Sequence, residues 1–204
     1  MNFLAHAVLS FNQPEILVGN MISDFVKGKK QYEFQPAVHL GIKLHRAIDL
    51  YTDEHPITKA MKHFYKEEYG LYSAVLADVS YDYFLANDLN IFSTKETLRS
   101  FTQATYTQIA NYTEILPENF AIAFNYMQSQ DWLYHYGSEA GIAKSFAGMQ
   151  RRARYMKKTD AAMQIFQQNK EQMTLLYEEF FPQVNVYALT KLEELISTAS
   201  ISLK

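Results

Sequence analysis

The chain contains no cysteine in its 204 residues. Disulfide bonds, zinc sites built from thiolates and thiol nucleophiles are therefore excluded. The absence fits a reducing compartment, so we expect the protein in the cytoplasm.

Signals for export, membrane insertion and nucleic-acid binding are also missing. The opening stretch, MNFLAHAVLSFNQPE, lacks the basic segment and the small-residue cleavage site of a signal peptide. No apolar run approaches the length that spans a bilayer. The net charge of -3 argues against broad nucleic-acid binding. We therefore expect neither a membrane nor a nucleic acid as a partner.

Glycine and proline are scarce, with 7 and 5 residues, and so few chain breakers favour long helices over short strands. Hydrophobic residues make up 48% of the chain, including 15 Tyr and 14 Phe, enough to fill a sizeable core. No linker or repeat divides the sequence, so we predict one compact all-α domain over residues 1–204. The predicted helices cover about 14–28, 36–51, 57–69, 71–86, 95–112, 118–134, 139–155 and 159–180, with a short one after Pro182.

Carboxylates fall on the predicted apolar faces of several helices. Asp78 and Asp82 are four residues apart, so they share one helical face. That face also carries a set of apolar side chains: Leu71, Ala74, Val75, Tyr81, Leu85 and Leu89. Burying an unpaired carboxylate is costly, and two neighbouring carboxylates repel each other. Something positive must compensate them.

The same pattern recurs in the first quarter of the chain. Asp24 lies on an apolar face, with Asn20 beside it. His45 and Asp49 are four residues apart on the next predicted helix. Gly41 on that face leaves space for a ligand or a neighbouring helix.

These nitrogen and oxygen donors form a candidate metal-ligand set: His6, Asp24, His45, Asp49, Asp78 and Asp82. Such a set suits Mn²⁺, Mg²⁺ or Fe²⁺ and also admits Zn²⁺. A bound divalent ion would neutralise the carboxylates and lower the pKa of a bound water. Catalytic roles are predicted for Arg46 as a phosphate clamp, for Asp53 in orienting water, and for Asp82.

Other interpretations stay open for these residues. Asp78 and Asp82 could pair with Arg or Lys from another helix. His45 and Asp49 could form an ordinary pair one helical turn apart. His6 could be a hydrogen-bonded histidine of the core.

A basic patch lies in the segment GMQRRARYMKK and contains Arg151, Arg152, Arg154, Lys157 and Lys158. If the segment is helical, Arg151, Arg154 and Lys158 share one face. On an acidic chain, such a patch indicates an anionic partner, either phosphate or an acidic protein. The alternative is a solvated basic face without a partner.

Several motifs resemble those of the bacterial acyl carrier protein phosphodiesterase family. They are MNFLAH, GNMISDFVKG, HRAID followed by TDEHP, ADVSYDYFL, SQDWLYHYG and GMQRRAR, in colinear order over about residues 1–155. Several motifs in order are far more specific than any one of them.

The resemblance implies an all-helical fold, that of an atypical branch of the HD-type metal-dependent phosphohydrolases. It also implies hydrolysis of the phosphodiester between 4′-phosphopantetheine and a serine of holo acyl carrier protein, with Mn²⁺ as cofactor. Acyl carrier protein is then the acidic partner of the basic patch. The chain departs from the pattern in lacking an adjacent His-Asp doublet and in having Tyr83 where a histidine is expected. The alternatives are an HD-like hydrolase of a nucleotide or another small phosphodiester, and a non-catalytic binder of an acidic protein.

Overall fold

The computed structural model describes residues 1–153 and 155–202, without the side chains of Arg152 and of residues 200–202. These residues form ten α-helices and no strand, which confirms the all-α prediction. The helices are α1 (Phe3–Val8), α2 (Pro14–Ile22), α3 (Pro36–Glu54), α4 (Pro56–Tyr69), α5 (Ser73–Ala86), α6 (Lys95–Ala110), α7 (Glu118–Ser129), α8 (Trp132–His135), α9 (Glu139–Arg152) and α10 (Asp160–Ser202). None of the described helices is both long enough and apolar enough to cross a membrane.

Local sequence signals set most helix starts. Prolines occupy the first position of α2, α3 and α4, where a fixed φ and a missing N–H are tolerated. The helix α3 continues to Glu54, beyond the predicted end, and stops because His55 precedes Pro56 and is held extended with ψ 133°.

Two predicted helices are shorter in the structure. The predicted continuation of α2 to residue 28 is wrong, because a short 3-10 turn ends it and Val26 is extended. The predicted helix over 118–134 is divided into α7 and α8 by Asp131, whose φ of 48° lies in the left-handed region.

The C-terminal half differs more. Pro182 does not end a helix but lies inside the 43-residue α10. Buried residues on both sides of it, including Phe180 and Val184, pack in the core, and their burial outweighs the cost of an interior proline of about 3 kcal/mol. The helix α9 ends at Arg152 and Ala153 is extended, so the predicted helical face shared by Arg151 and Lys158 does not form. Its third predicted member, Arg154, lies outside the described residues.

The helices α2 and α3 cross at two glycines. A Cβ on Gly19 would collide with the Val38 carbonyl, and a Cβ on Gly41 would collide with the Ile16 carbonyl. The backbones therefore touch, and the space predicted at Gly41 belongs to a neighbouring helix. This contact packs α2 against the N-terminal half of α3.

The helix α5 lies near the centre of the fold, in contact with α1, α4, α9 and α10. The apolar stripe predicted around Asp78 is partly wrong, because Leu71 and Leu89 are 96% and 74% exposed. Asp82 is fully buried. The helix α5 is therefore buried on more than one side. Asp82 lies deep in the core, whereas the Asp78 side chain is 24% exposed.

Candidate metal centre

His6 is held in one orientation by Asn20. The Asn20 side-chain amide donates to the His6 carbonyl and to Ser10 Oγ, both at 3.0 Å. Its Oδ1 therefore faces His6 Nδ1, at 2.8 Å, and His6 Nδ1 must carry the donated proton. The lone pair of His6 then lies on Nε2, a buried atom without a hydrogen bond among the described residues.

His45 is oriented in the same way. Its Nδ1 donates to the backbone carbonyl of Asn20 at 2.7 Å. The His6 and His45 rings stack, with centroids 3.9 Å apart. Asn20 therefore fixes both imidazoles, through its side chain and its carbonyl, with both Nε2 atoms on the far side from it. Orientation of a ligating histidine through its other ring nitrogen is typical of metal sites.

Asp49 bridges the two histidines. Its Oδ1 lies 3.2 Å from His6 Nε2, and its Oδ2 lies 3.0 Å from His45 Nε2. One ligand atom from each of these three residues lies within 4.8 Å of the others, close enough for one cation. Asp24 approaches from the edge, with Oδ1 3.2 Å from His45 Nε2 and a side chain that is 71% exposed.

The pKa shifts show how the cluster divides its charge. Burial, together with the charge of His45, lowers the pKa of His6 to about 4. Burial also opposes protonation of His45, but Asp24 and Asp49 outweigh it and raise its pKa to about 9. Burial raises the pKa of Asp49, but its bond to the protonated His45 outweighs burial and holds that pKa well below the usual range. The proton on His45 Nε2 thus occupies the position in which a cation would contact both carboxylates.

Asp78 lies beside this cluster and faces the α-amino group of Met1. The amine is 3.1 Å from Asp78 Oδ1 and 3.7 Å from Asp49 Oδ1. Burial disfavours the charged amine, but these two carboxylates raise its pKa to about 10. Burial also raises the pKa of Asp78.

Asp82 serves the backbone of α1. Its Oδ2 accepts from Leu4 N at 2.8 Å and its Oδ1 from Ala5 N at 3.2 Å. Burial raises its pKa to about 7. Since α1 carries His6, Asp82 positions one candidate ligand through these two bonds.

The sequence left open that Asp78 and Asp82 pair with a lysine or arginine from another helix, and the described contacts do not support such pairs. Among the lysine and arginine side chains that the structure describes, none lies within 4.0 Å of the carboxylates of Asp24, Asp49, Asp78 or Asp82. The α-amino group of Met1 is the charged group that meets Asp78. His6 and His45 meet Asp49 together, so these contacts go beyond one pair on one helix.

Other predicted residues lie apart from the cluster. Asp53 binds Lys62 Nζ at 2.6 Å, and its side chain is 65% exposed. Arg46 donates to Gln31 Oε1 at 2.7 Å and to the Val26 carbonyl at 3.1 Å. Water orientation by Asp53 and phosphate binding by Arg46 stay predictions.

The predicted basic patch is partly neutralised. Lys157 Nζ pairs with Glu68 Oε1 at 2.9 Å. Arg151 and Arg152 belong to the end of α9, whereas Lys157 and Lys158 follow it, so the patch does not form one helical face. Partner binding by Arg151, Arg152, Arg154, Lys157 and Lys158 stays a prediction.

Tyr83 lies on a different side of α5 from Asp82. Its ring packs edge-on against Phe166 of α10, with centroids 5.0 Å apart, and Lys170 Nζ lies 4.8 Å from the ring centre. The described contacts of Tyr83 include none of the candidate ligands. Tyr83 therefore packs away from the cluster formed by His6, His45 and Asp49, and its effect on activity stays a prediction.

The fold and the cluster define a helical protein in which buried imidazoles and carboxylates from three segments converge on one potential cation site. The chain belongs to the acyl carrier protein phosphodiesterase family, whose family model matches residues 1–184. This match confirms two predictions from the sequence, membership of this family and classification as a hydrolase.

Curated relatives with the name acyl carrier protein phosphodiesterase match most of the chain. One from Serratia proteamaculans is 30% identical over 94% of this chain and 99% of its own length. One from Yersinia pestis is 31% identical over 89% of this chain and 94% of its own length. One from Escherichia coli O6:H1 is 32% identical over 74% of this chain and 79% of its own length. No solved structure matches the chain.

Proposed function

We propose that this chain is a divalent-metal-dependent phosphodiester hydrolase that releases 4′-phosphopantetheine from holo acyl carrier protein. The substrate is inferred from the name shared by the family and the relatives. Metal dependence is inferred from the 3.2 Å approach of His6 Nε2 to Asp49 Oδ1. Because His6 Nδ1 holds the proton, both atoms are electron-pair donors that repel each other, and a cation held by these two residues would offset that repulsion.

His6, His45 and Asp49 would hold the ion, and Asp24 would complete the set from the exposed edge. Two imidazoles with two carboxylates suit Mn²⁺, and Fe²⁺ and Mg²⁺ are the alternatives. When bound, the ion supplies Lewis-acid polarisation of the phosphoryl group and lowers the pKa of water.

The remaining residues of the site act by positioning. Asn20 fixes the tautomer of both histidines, and Asp82 holds the start of α1. Asp78, whose charge meets the α-amino group of Met1, keeps the first residue of the chain against Asp49. Preorganised ligands cost no rearrangement when substrate and ion bind.

The test is release of 4′-phosphopantetheine from holo acyl carrier protein in the presence of Mn²⁺, followed by mass spectrometry. His6→Ala and Asp49→Asn should each lower turnover more than about 100-fold, since even partners outside the ligand set are worth 10–100-fold. Glu54→Gln, an exposed site on the same helix as Asp49, is the matched control and should retain activity. Unchanged turnover in both site variants would contradict the assignment.

The same protein should be assayed against a panel of nucleotides and small phosphodiesters. Cleavage of a nucleotide with no release from the carrier protein would replace the proposed substrate. Lack of turnover, together with no Mn²⁺ bound after soaking, would favour a non-catalytic binder of an acidic protein.

A further inference from the structure

A second basic region occurs in the sequence between residues 25 and 47. It contains five cations, Lys27, Lys29, Lys30, Lys43 and Arg46, against a single carboxylate, Glu33, although the chain as a whole has a net charge of -3. All five cations are exposed. We call these five residues the basic surface.

Arg46 joins the two segments of the basic surface. Its bonds to Gln31 Oε1 and the Val26 carbonyl hold the 3-10 helix Gly28–Glu33 against α3. Lys43 and Arg46 lie one turn apart on α3. Burial lowers the pKa of the nearby His39, and the charges of Lys43 and Arg46 lower it further.

The cations of the basic surface have no acidic partner in the part of the chain that the structure describes, since none lies within 4.0 Å of a carboxylate. Arg46 uses neutral acceptors instead. The predicted patch differs in this respect, because Lys157 is paired with Glu68. Uncompensated charge of one sign on an acidic chain fits an anionic partner.

The basic surface approaches the exposed edge of the candidate metal centre, because Arg46 donates to the carbonyl of Val26, two residues after Asp24. Asp24, the most exposed carboxylate of that centre, is three residues from Lys27, and His45 lies between Lys43 and Arg46 in α3. A partner seated there would have its nearest atoms beside the cluster.

A groove of about 360 Å³ continues the basic surface between α3 and the end of α10. Leu40 and Leu195 line it, Lys43 lies at its rim, and the Lys191 ammonium at the same rim is paired with Glu194 at 2.9 Å. An apolar lining with the unpaired Lys43 at its rim fits an acidic protein that also presents an apolar side chain.

We infer that the basic surface is where the acidic carrier protein docks, so that its phosphodiester reaches the exposed edge of the metal centre. The inference rests on the proposed function and replaces the predicted patch as the docking site. Opposite charges at a docking surface raise the association rate and orient the partner, and salt weakens both effects.

The test compares two triple charge reversals in the full chain with Mn²⁺. One carries Lys29→Glu, Lys30→Glu and Lys43→Glu, and the other carries Arg151→Glu, Lys157→Glu and Lys158→Glu in the predicted patch. The substrates are holo acyl carrier protein and a short uncharged peptide with the same phosphopantetheinyl serine. Affinity for apo acyl carrier protein is measured in parallel.

The kcat/KM of the first variant for the carrier protein should fall about 10–100-fold, mainly through a higher KM. Electrostatic steering raises association rates by about 10–10³-fold, so its loss is expected to have an effect of this size. Its kcat/KM for the peptide should stay within about threefold of the wild type, and its loss should shrink at high salt. The second variant should change less than about threefold on either substrate, as exposed charges away from the interface contribute little.

Three results would overturn the inference: equal kinetics of the first variant and the wild type, equal losses on the peptide and the carrier, or a larger loss in the second variant. In each of these the wild type still releases 4′-phosphopantetheine, so the proposed function stands. If the wild type neither releases it nor binds apo acyl carrier protein, the proposed function and the inference fail together.

Discussion

Asn20 is the residue on which the geometry of the cluster depends most. Its side chain fixes His6, and its carbonyl fixes His45. It is neutral and fully buried, with its own amide protons bound to the His6 carbonyl and Ser10. Such a network has little freedom to rearrange, because each lost bond leaves a buried polar group unsatisfied.

Asn20→Ala should weaken Mn²⁺ binding about 10–100-fold, the range typical for partners that orient a ligating histidine. The reason is that His6 Nδ1 loses its acceptor, so the ring can rotate or change tautomer. Calorimetric titration of the purified variant with Mn²⁺ measures the change. Ser10→Ala is the control, because it removes the Ser10 bonds to the His6 carbonyl and from the Asn20 amide. The Asn20 amide keeps its bond to the His6 carbonyl, so Nδ1 keeps its acceptor. Equal affinities in Asn20→Ala and the wild type would show that the amide has no orienting role.

The sequence indicated the charged members of this cluster but not Asn20's role. Helical spacing and burial cost are local, so His45 and Asp49 could be paired from their positions alone. Asn20 acts on partners 14 and 25 residues away, and an uncharged amide on an apolar face gives no signal of such contacts. The same limit applies to Asp82, whose bonds to α1 depend on a contact across 78 residues.

At the scale of elements, the crossing of α2 and α3 sets the distances in the site. Asn20 follows Gly19, and His45 lies one turn after Gly41. Backbone contact at these glycines is what lets the Asn20 carbonyl reach His45. Helix starts at Pro14 and Pro36 were predicted from the sequence. The continuity of α10 through Pro182 was not, because burial against α3, α4 and α5 decides it.

Gly41→Ala should destabilise the fold by about 1–3 kcal/mol or more, the usual cost of overpacking a tight core. Its Cβ would meet the Ile16 carbonyl, which belongs to backbone that cannot move without shifting α2. Urea unfolding measures the free energy. Gly148→Ala on α9 is the matched control, since its Cβ would lie 3.6 Å from a flexible Arg151 side chain, and alanine should raise stability by up to about 1 kcal/mol. A similar response of both variants would mean that α2 and α3 separate at no cost.

For the molecule as a whole, the arrangement of charge matters more than the net charge of -3. The predicted basic patch depended on a helix continuing past residue 152, whereas α9 ends there. The basic surface depends on Arg46 reaching Gln31 and Val26, contacts that no local pattern reveals. Charge density along the sequence therefore indicated that an acidic partner was expected, but not where it would bind.

Mn²⁺ should couple the site to global stability, because His6, Asp24 and His45 come from α1, the turn after α2, and α3. An ion that binds the folded state at 100 times its Kd adds about 2.7 kcal/mol to the free energy of unfolding. Urea unfolding with Mn²⁺ and with chelator measures this increment. It should shrink as the pH falls below the His45 pKa of about 9, since the ion must displace that proton. Asp49→Asn should abolish the increment while Glu54→Gln keeps it, and an equal increment in both would place the ion elsewhere.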